Sequence, residues 1–466
     1  MSRTLLSALI ALAIAAPCVA ADSTAGPTPE QARGREIYSK LISYKTSAGN
    51  GQVPVMAGWL AQQFRDAGFP DADIHLLPVG ETASLVVRYR GNGTGGKPIL
   101  LMAHMDVVAA DPKDWTRDPF KLVEENGYFF GRGTADVKDG IATLTATFLR
   151  LKREGFVPTR DLVIVFTGDE ETEMATTQDL VNRHRDLLDA DFALNADGGG
   201  GTLEETGEPR TYGFQTAEKT YADFELTVHN PGGHSSWPRP DNAIYQLADA
   251  LKKVQAYKFP TMWNDTTLAE FAAEGKVAPG ELGTAMRAFA KNPRDEAAVT
   301  ALTRDTAQIG RTRTTCVATM LRGGHAKNAL PQSAIANINC RIFPGVAIDD
   351  VRKTLQEQVG KTVEVATIDH PTASDASPLR PDVMDAVTRA VHVIHPGVQV
   401  VPNQASGASD GLYFRAAGIP TYGVGGMFMK DSDSFAHGLN ERVPVKGFYD
   451  GLAYWYVLLK DLAGKH

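Results

Sequence analysis

The sequence predicts an α/β protein: a first domain with a mostly parallel sheet and helices on both faces, interrupted by an inserted α+β domain. Two observations favour this fold class. Apolar runs of strand length alternate with helical stretches in the first 200 residues, a pattern typical of parallel sheets covered on both faces. Near Thr220 the pattern changes to alternation with period two, which indicates strands with one exposed face.

Length and composition limit what the chain can be. With 466 residues, of which 43% are hydrophobic and 22% charged, it can form two to four domains with large cores. This composition excludes a disordered chain and a small disulfide scaffold. The formal net charge is −8, the wrong sign for a general nucleic-acid binder. We therefore expect no nucleic-acid partner.

Residues 1–21 have the pattern of a secretory signal peptide. Arg3 precedes a short apolar run (5–16), and small residues after Cys18 offer a cleavage site. The run is too short to span a bilayer comfortably. We therefore expect cleavage, no stable membrane anchor, and a periplasmic or secreted protein. Cys316 and Cys340 then remain and could pair in an oxidising compartment, but we favour two ordinary buried thiols.

The first domain is predicted from three apolar runs. Residues 97–106, 161–171 and 191–197 each read as a buried strand that ends in polar residues, and residues 140–154 between the first two suit a helix. The predicted ranges are 22–217 for the first part of this domain and 373–466 for its second part.

The inserted domain is predicted over residues 218–372. Its elements are a strand over 221–229, an amphipathic helix over 242–257, and strands over 312–320 and 333–343. Residues 265–308 are charged and Ala-rich and therefore helical, without an assigned role. The segment 371–378, rich in Ser and Pro, marks the return to the first domain.

Residues that can bind metal follow the three predicted strands. They are His104 and Asp106, then Asp169-Glu170-Glu171, then Asp197. The carboxyl ends of parallel strands meet at one edge of a sheet, and several carboxylates gathered there are costly without a cation. Any one of these endings alone could be a helix cap or a solvated acidic turn. Three together predict a metal site.

Two further segments add ligands of the same kind. Residues 131–140 contribute Asp136 between glycines that permit tight turns, and residues 436–441 contribute His437. Mixed nitrogen and oxygen ligands suit zinc best, and cobalt or manganese are acceptable.

These motifs together resemble the M20 metallopeptidases, a family of carboxypeptidases, dipeptidases, aminoacylases and desuccinylases. The blocks that carry the resemblance are His104-Met-Asp-Val-Val108, Gly131-Arg-Gly-Thr-Ala-Asp136, Thr167-Gly-Asp-Glu-Glu171, Gly232-Gly-His-Ser-Ser236 and Ala436-His437. The resemblance implies two metal ions that share one carboxylate, a catalytic domain made from the first domain's two parts, and an inserted lid or dimerisation domain.

The resemblance also implies a role for each ligand. Asp136 would bridge the two ions, Glu171 and His437 would complete one site, and His104 and Asp197 would complete the other. Position 197 is Glu in many relatives and Asp in others. Asp106 would hold the His104 imidazole from behind, and Glu170 would be the general base.

The inserted domain is expected to complete the site. By resemblance, His234 reaches the active site of the partner subunit in a homodimer and stabilises the oxyanion. Asn328 and Arg341 would hold a substrate carboxylate, although Arg341 could instead form a surface salt bridge. Ser409 lies in a segment that either lines the substrate pocket or caps a helix.

The sequence thus predicts a secreted di-zinc hydrolase that cleaves the amide bond of a dipeptide, a carboxyl-terminal residue or an N-acyl amino acid. Two alternatives stay open: a deacylase rather than a peptidase, and a non-catalytic binding relative with the same fold. A nucleotide-binding protein is excluded, because Gly198-Gly-Gly-Gly201 lacks the Lys-Ser/Thr of a P-loop.

Overall fold

A computed structural model describes residues 26–465. The predicted signal peptide, residues 1–21, lies outside the described residues. Within residues 26–465, no helix combines the length and apolarity needed to cross a bilayer.

The described residues form twelve α-helices and nineteen strands. The helices are α1 (Pro29–Ile42), α2 (Val53–Asp66), α3 (Lys138–Arg153), α4 (Ala175–Arg183), α5 (Ala243–Ala256), α6 (Asp265–Val277), α7 (Gly280–Lys291), α8 (Glu296–Arg304), α9 (Ile348–Val359), α10 (Pro381–Ile394), α11 (Gly411–Ala416) and α12 (Val445–Ala463). The strands are β1 (Ile74–Val79), β2 (Thr82–Tyr89), β3 (Ile99–His104), β4 (Val123–Glu125), β5 (Tyr128–Phe130), β6 (Leu162–Thr167), β7 (Phe192–Asn195), β8 (Gly200–Leu203), β9 (Pro209–Glu218), β10 (Thr220–His229), β11 (Gly233–His234), β12 (Thr315–Gly323), β13 (Ala329–Leu330), β14 (Ser333–Ile342), β15 (Glu364–Ile368), β16 (Gln399–Ala405), β17 (Thr421–Gly423), β18 (Phe428–Lys430) and β19 (Arg442–Pro444).

The large sheet has a parallel centre. Its order is β1-β2-β6-β3-β7-β17-β9-β8-β18, with β16 paired to β9, and β6, β3, β7 and β17 run parallel. Side chains alternate along β3, so that Leu101 packs in one apolar cluster and Leu100 in another. Helices α1, α2, α3, α10 and α12 supply the first cluster, whereas Leu180 of α4 and Phe414 of α11 supply the second. The predicted fold class, with helices on both faces, is confirmed.

The second sheet is antiparallel, with the order β12-β14-β10-β15. Burial alternates residue by residue along β10 and β14, because one face packs on α5 and α9 through residues such as Phe224, Leu247 and Leu355. Asn242 caps α5 by accepting a hydrogen bond from the Ile244 amide. These elements all lie within the predicted range 218–372.

Cys316 and Cys340 form a disulfide, so the expectation of two free thiols is wrong. They face each other across β12 and β14 in the antiparallel register, with their Cα atoms 4.1 Å apart. The sequence predicts both strands but not their pairing, and it therefore could not bring the two sulfurs together.

Helices α6, α7 and α8 form a separate helical unit with its own core of Phe271, Met286, Phe289 and Leu302. The segment 265–308 is helical as expected. The unit contacts β16 of the large sheet. There the backbone amide of Gln404 donates a hydrogen bond to the Glu270 carboxylate over 3.4 Å. The unit therefore contacts the strand that leads into residues 406–410.

Candidate metal centre

The carboxyl ends of three parallel strands meet as the sequence predicts. β3 ends at His104, β6 is followed by Glu170 and Glu171, and β7 is followed by Asp197. Because β6, β3 and β7 are neighbours in the sheet, the three groups converge. The His104 Nε2 atom lies 4.0 Å from the Asp197 carboxylate.

Asp136 lies between two imidazoles. One carboxylate oxygen, Oδ1, is 2.9 Å from Nε2 of His104, and the other, Oδ2, is 2.9 Å from Nε2 of His437. The same His437 atom is 3.0 Å from Oε1 of Glu171. Ligand atoms of His104, Asp136 and Glu171 all lie within 4.8 Å of one another. The arrangement therefore has two halves that share one carboxylate.

Asp106 contacts both the His104 imidazole and the turn that follows β6. The His104 Nδ1 atom lies 3.1 Å from the backbone carbonyl of Asp106 and 3.5 Å from its carboxylate. The Asp106 carboxylate also accepts hydrogen bonds from the backbone amides of Glu170, at 3.1 Å, and Glu171, at 3.0 Å. Because Nδ1 is held at the Asp106 carbonyl, Nε2 is the ring atom that faces Asp136 and would bind a cation. The Asp106 side chain thus fixes the turn that carries both glutamates.

Burial and mutual repulsion govern the charges of the acidic groups. Burial, with Asp197 among the neighbouring carboxylates, raises the pKa of Glu170 to about 10. Burial and Asp136 raise the pKa of Asp197 to about 7. Burial opposes ionisation of Asp136 as well, but hydrogen bonds from both imidazoles lower its pKa well below the ordinary value.

The imidazoles respond in the opposite direction. The hydrogen bond to Asp136, followed by the charge of Glu171, raises the pKa of His437 to about 9. Within residues 26–465, no Lys or Arg forms an ion pair with Asp136, Glu170, Glu171 or Asp197. A partly buried set of carboxylates and imidazoles without a basic side chain matches the ligands of a divalent cation.

Sequence reasoning missed Glu441, which joins the two loops of the centre. Its fully buried carboxylate pairs with Arg132 at 2.6 Å and accepts the amides of Gly133 at 3.1 Å and Ala135 at 2.7 Å. Gly133 has a φ of +81°, which favours glycine. Glu441 thereby fixes the backbone that leads into Asp136. A carboxylate four residues after His437 was the available signal.

Asp169, the first residue of the acidic triplet, does not belong to the metal-binding group. Its carboxylate accepts the amides of Ala175 at 2.7 Å and Thr176 at 2.9 Å, so it caps the start of α4. Only the two glutamates of the acidic triplet belong to the centre.

The Ser409 hydroxyl is part of a buried hydrogen-bond network. The hydroxyl donates to Glu218 over 2.6 Å and accepts the Gly411 amide at 3.2 Å. Glu218 also pairs with Arg415 at 2.7 Å. The expected pocket-lining role of Ser409 therefore has no free polar atom to support it, and the helix-cap alternative fits the hydrogen bond to Gly411 at the start of α11.

The three predicted residues of the inserted domain lie at its surface. His234 is exposed on β11, and its Nδ1 atom is 2.7 Å from the Ser236 hydroxyl. Asn328 is exposed, and its backbone carbonyl accepts a hydrogen bond from the Ser235 backbone amide. Arg341 lies over the Tyr221 ring at 4.7 Å and donates to the Ser406 carbonyl over 3.2 Å. Within the described residues none of the three contacts the metal-binding group.

Comparison with known proteins agrees with the motifs. The chain is 26% identical over 398 residues to the N-fatty-acyl-amino acid synthase/hydrolase PM20D1 of Xenopus tropicalis, covering 81% of this chain and 74% of that protein. The M20 family metallo-carboxypeptidase of Sulfolobus solfataricus superposes with a TM-score of 0.69 at 18% identity, covering 94% and 99% of the two chains. A dinuclear metal-binding M20 peptidase of Bacillus subtilis superposes with a TM-score of 0.59 at 12% identity, covering 92% and 97%.

The family model for peptidase family M20/M25/M40 matches residues 100–461, a span that includes every predicted ligand. The resemblance drawn from the motifs is confirmed. This chain belongs to peptidase family M20/M25/M40, whose members are metal-dependent hydrolases of amide and peptide bonds.

Proposed function

We propose that this protein is an exported di-zinc amidohydrolase that releases an amino acid from an N-acyl amino acid or from the carboxyl end of a small peptide. One observation carries the proposal: the two oxygens of Asp136 face two different imidazoles at 2.9 Å. A carboxylate placed in this way can serve two cations at once, which is the requirement for a co-catalytic pair.

The donor set fits two divalent ions. His104 and Asp197 would hold one ion, Glu171 and His437 the other, and Asp136 both. Two imidazoles and three carboxylates suit zinc, with cobalt and manganese as alternatives. When bound, two such ions polarise the scissile carbonyl and lower the pKa of a shared water.

Glu170 is the proton carrier in this proposal. Its backbone amide is held by Asp106 at 3.1 Å. Burial raises the pKa of this carboxyl group, whereas neighbouring cations would lower it, so with both ions bound it would accept and release a proton near neutral pH. It would take the proton of the attacking water and pass it to the leaving nitrogen. Adjacent Glu171 keeps the separate role of ligand because its carboxylate faces His437.

Arg341 supports a substrate with a free carboxylate. Its guanidinium is oriented by Tyr221 and by the Ser406 carbonyl, and it has no carboxylate partner within 4.0 Å among the described residues. A planar guanidinium binds a carboxylate with two parallel hydrogen bonds. N-acyl amino acids and peptides with a free carboxyl end, the substrates suggested by the names of the relatives, share this group beside the amide bond.

His234 supports a homodimer. It is exposed, and its ring lies 6.3 Å from that of Trp237. The inserted domain carries several exposed apolar side chains: Trp237 at 78%, Tyr245 at 67%, Met320 at 70% and Leu321 at 68% exposure. Exposed apolar residues in such number indicate a protein interface. We propose that a second copy covers them and that His234 completes the partner's site.

A mixing experiment tests this arrangement. An inactive His234→Ala protein and an inactive Glu170→Gln protein should recover activity in mixed dimers, because one of the two sites then has both groups. Verified mixed dimers without activity would contradict the shared site.

Export rests on the signal-like residues 1–21 and is supported by the Cys316–Cys340 disulfide, since structural disulfides persist in oxidising compartments. Fractionation of cells that produce the full chain would test it: mature protein that begins after residue 21 is expected in the periplasm or the medium. Full-length protein confined to the cytoplasm would contradict export.

A substrate panel tests the activity. Zinc-loaded protein should hydrolyse N-acetyl and N-fatty-acyl amino acids or dipeptides, lose activity with EDTA, and regain it with zinc or cobalt. Substrates whose terminal carboxylate is amidated should be poor by tenfold or more, because a lost hydrogen bond to a charged group costs about 1.5–3 kcal/mol. A preference for N-acyl amino acids would favour the deacylase alternative, and no turnover by the metal-loaded protein would favour the non-catalytic one.

A further inference from the structure

The helical unit and the inserted domain line a cavity of about 530 Å³ that is open to solvent and separate from the metal centre. Its volume falls in the range of small-molecule sites. The lining includes three basic side chains (Lys258, Arg304 and Arg313) and no acidic one. The chain as a whole has a net charge of −8, whereas this cavity is positively charged because three basic side chains and no carboxylate line it.

Arg313 is the buried member of this group, with 6% of its surface exposed. Its guanidinium donates to the Thr303 hydroxyl over 2.8 Å, to the Thr261 hydroxyl over 3.3 Å and to the Phe259 carbonyl over 3.3 Å. Its Nε atom is buried and has no hydrogen-bond partner among residues 26–465. All these partners are neutral, so no anion balances the buried charge.

The two other cations are exposed and free. Within residues 26–465, neither Lys258 nor Arg304 has a carboxylate within 4.0 Å, although most arginines of the chain are paired. Burial lowers the pKa of Arg313, and no neighbouring carboxylate acts against this. A buried guanidinium still stays charged at physiological pH, so leaving it without a counter-ion is costly.

We infer that this cavity is a binding site for a phosphate group, carried by inorganic phosphate or by a small phosphate ester. Three cations favour a dianion over a monocarboxylate, since each contributes separately to the attraction. The hydroxyls of Thr261 and Thr303 accept hydrogen bonds from Arg313 and can donate their own protons to phosphate oxygens. The cavity is larger than a bare phosphate requires, so it leaves room for an organic group.

The site adjoins the junction between the domains. The backbone carbonyl of Arg313 accepts a hydrogen bond from Lys219 Nζ over 2.9 Å, and Lys219 lies between β9 of the large sheet and β10 of the inserted sheet. The cavity itself contains none of the proposed metal ligands. Anion binding there can therefore be tested independently of hydrolysis.

Crystals soaked in selenate, a tetrahedral dianion with an anomalous signal, would locate the site. We expect an anomalous peak against Arg313 between Lys258 and Arg304, in addition to any at the metal centre. Peaks only elsewhere would overturn the inference.

Titration in solution gives a second test with a matched control. Inorganic phosphate should bind the Lys258→Gln/Arg304→Gln protein about tenfold or more weakly than the unaltered protein. The control is Lys276→Gln/Lys291→Gln, which removes the same charge from exposed positions of α6 and α7 outside the cavity and should leave affinity unchanged. Equal affinity in all three proteins, or acetate binding as tightly as phosphate, would refute the assignment. Glycerol phosphate binding more tightly than phosphate would identify an ester as the occupant, and the reverse order would identify the free ion.

Discussion

Glu441 offers a sharp test of how the centre is held together, through the substitution Glu441→Gln. The side chain keeps its size but loses its charge, and the buried Arg132 guanidinium, 3% exposed, is left without a counter-ion. Oε2 of Glu441 accepts both Arg132 and the Gly133 amide, while Oε1 accepts the Ala135 amide. A glutamine has only one side-chain oxygen that can accept these hydrogen bonds. Its NH₂ group must therefore face one of the N–H donors.

The cost follows from these contacts. Removing one partner of a buried ion pair lowers the free energy of unfolding by about 3–5 kcal/mol. Because the same contacts fix the backbone before Asp136, metal affinity should fall by roughly 10- to 100-fold. Chemical denaturation and zinc titration measure the two effects.

Glu36→Gln is the matched control. Glu36 pairs with Arg33 at 2.7 Å, but its side chain is 69% exposed, and surface pairs contribute about 0–1 kcal/mol. A Glu441→Gln protein that loses under 1 kcal/mol and binds zinc normally would refute the positioning role.

Two further predictions concern proton transfer and pH. Glu170→Gln should retain both metal ions and lose activity by roughly 10²- to 10⁴-fold; near-normal turnover would remove Glu170 from the base role. Burial, with a smaller effect of Arg341, lowers the pKa of Lys219 from 10.5 to about 7. Between these values the unfolded chain binds the proton and the folded chain does not, so the free energy of unfolding gains up to about 1.4 kcal/mol per pH unit as pH rises. Lys219→Met should remove this gain relative to the unaltered protein in urea denaturation between pH 7 and pH 10, and identical slopes would contradict it.

The sequence was informative where local patterns and sheet geometry coincide. His104, Glu171 and Asp197 follow buried strands, and the rule that parallel strands end at one edge brings them together. The two strands of the inserted domain that carry the cysteines were also predicted, each to within three residues at either end. These features depend on short stretches of chain.

Long-range contacts were out of reach. The Cys316–Cys340 pair depends on strand register, and the packing of α6 on β16 joins segments more than 100 residues apart. Asp106 and Ser409 also accept hydrogen bonds from backbone amides, which no residue pattern displays.

Metal stoichiometry of ligand variants is the most direct test of the central proposal, that Asp136 serves two ions. Elemental analysis after zinc loading and dialysis should give two ions per chain for the unaltered protein. Asp197→Asn and Glu171→Gln should each weaken one site, whereas Asp136→Asn should weaken both and leave fewer than one ion per chain. An Asp136→Asn protein that keeps one tightly bound ion, or an unaltered protein that binds only one, would contradict the shared carboxylate.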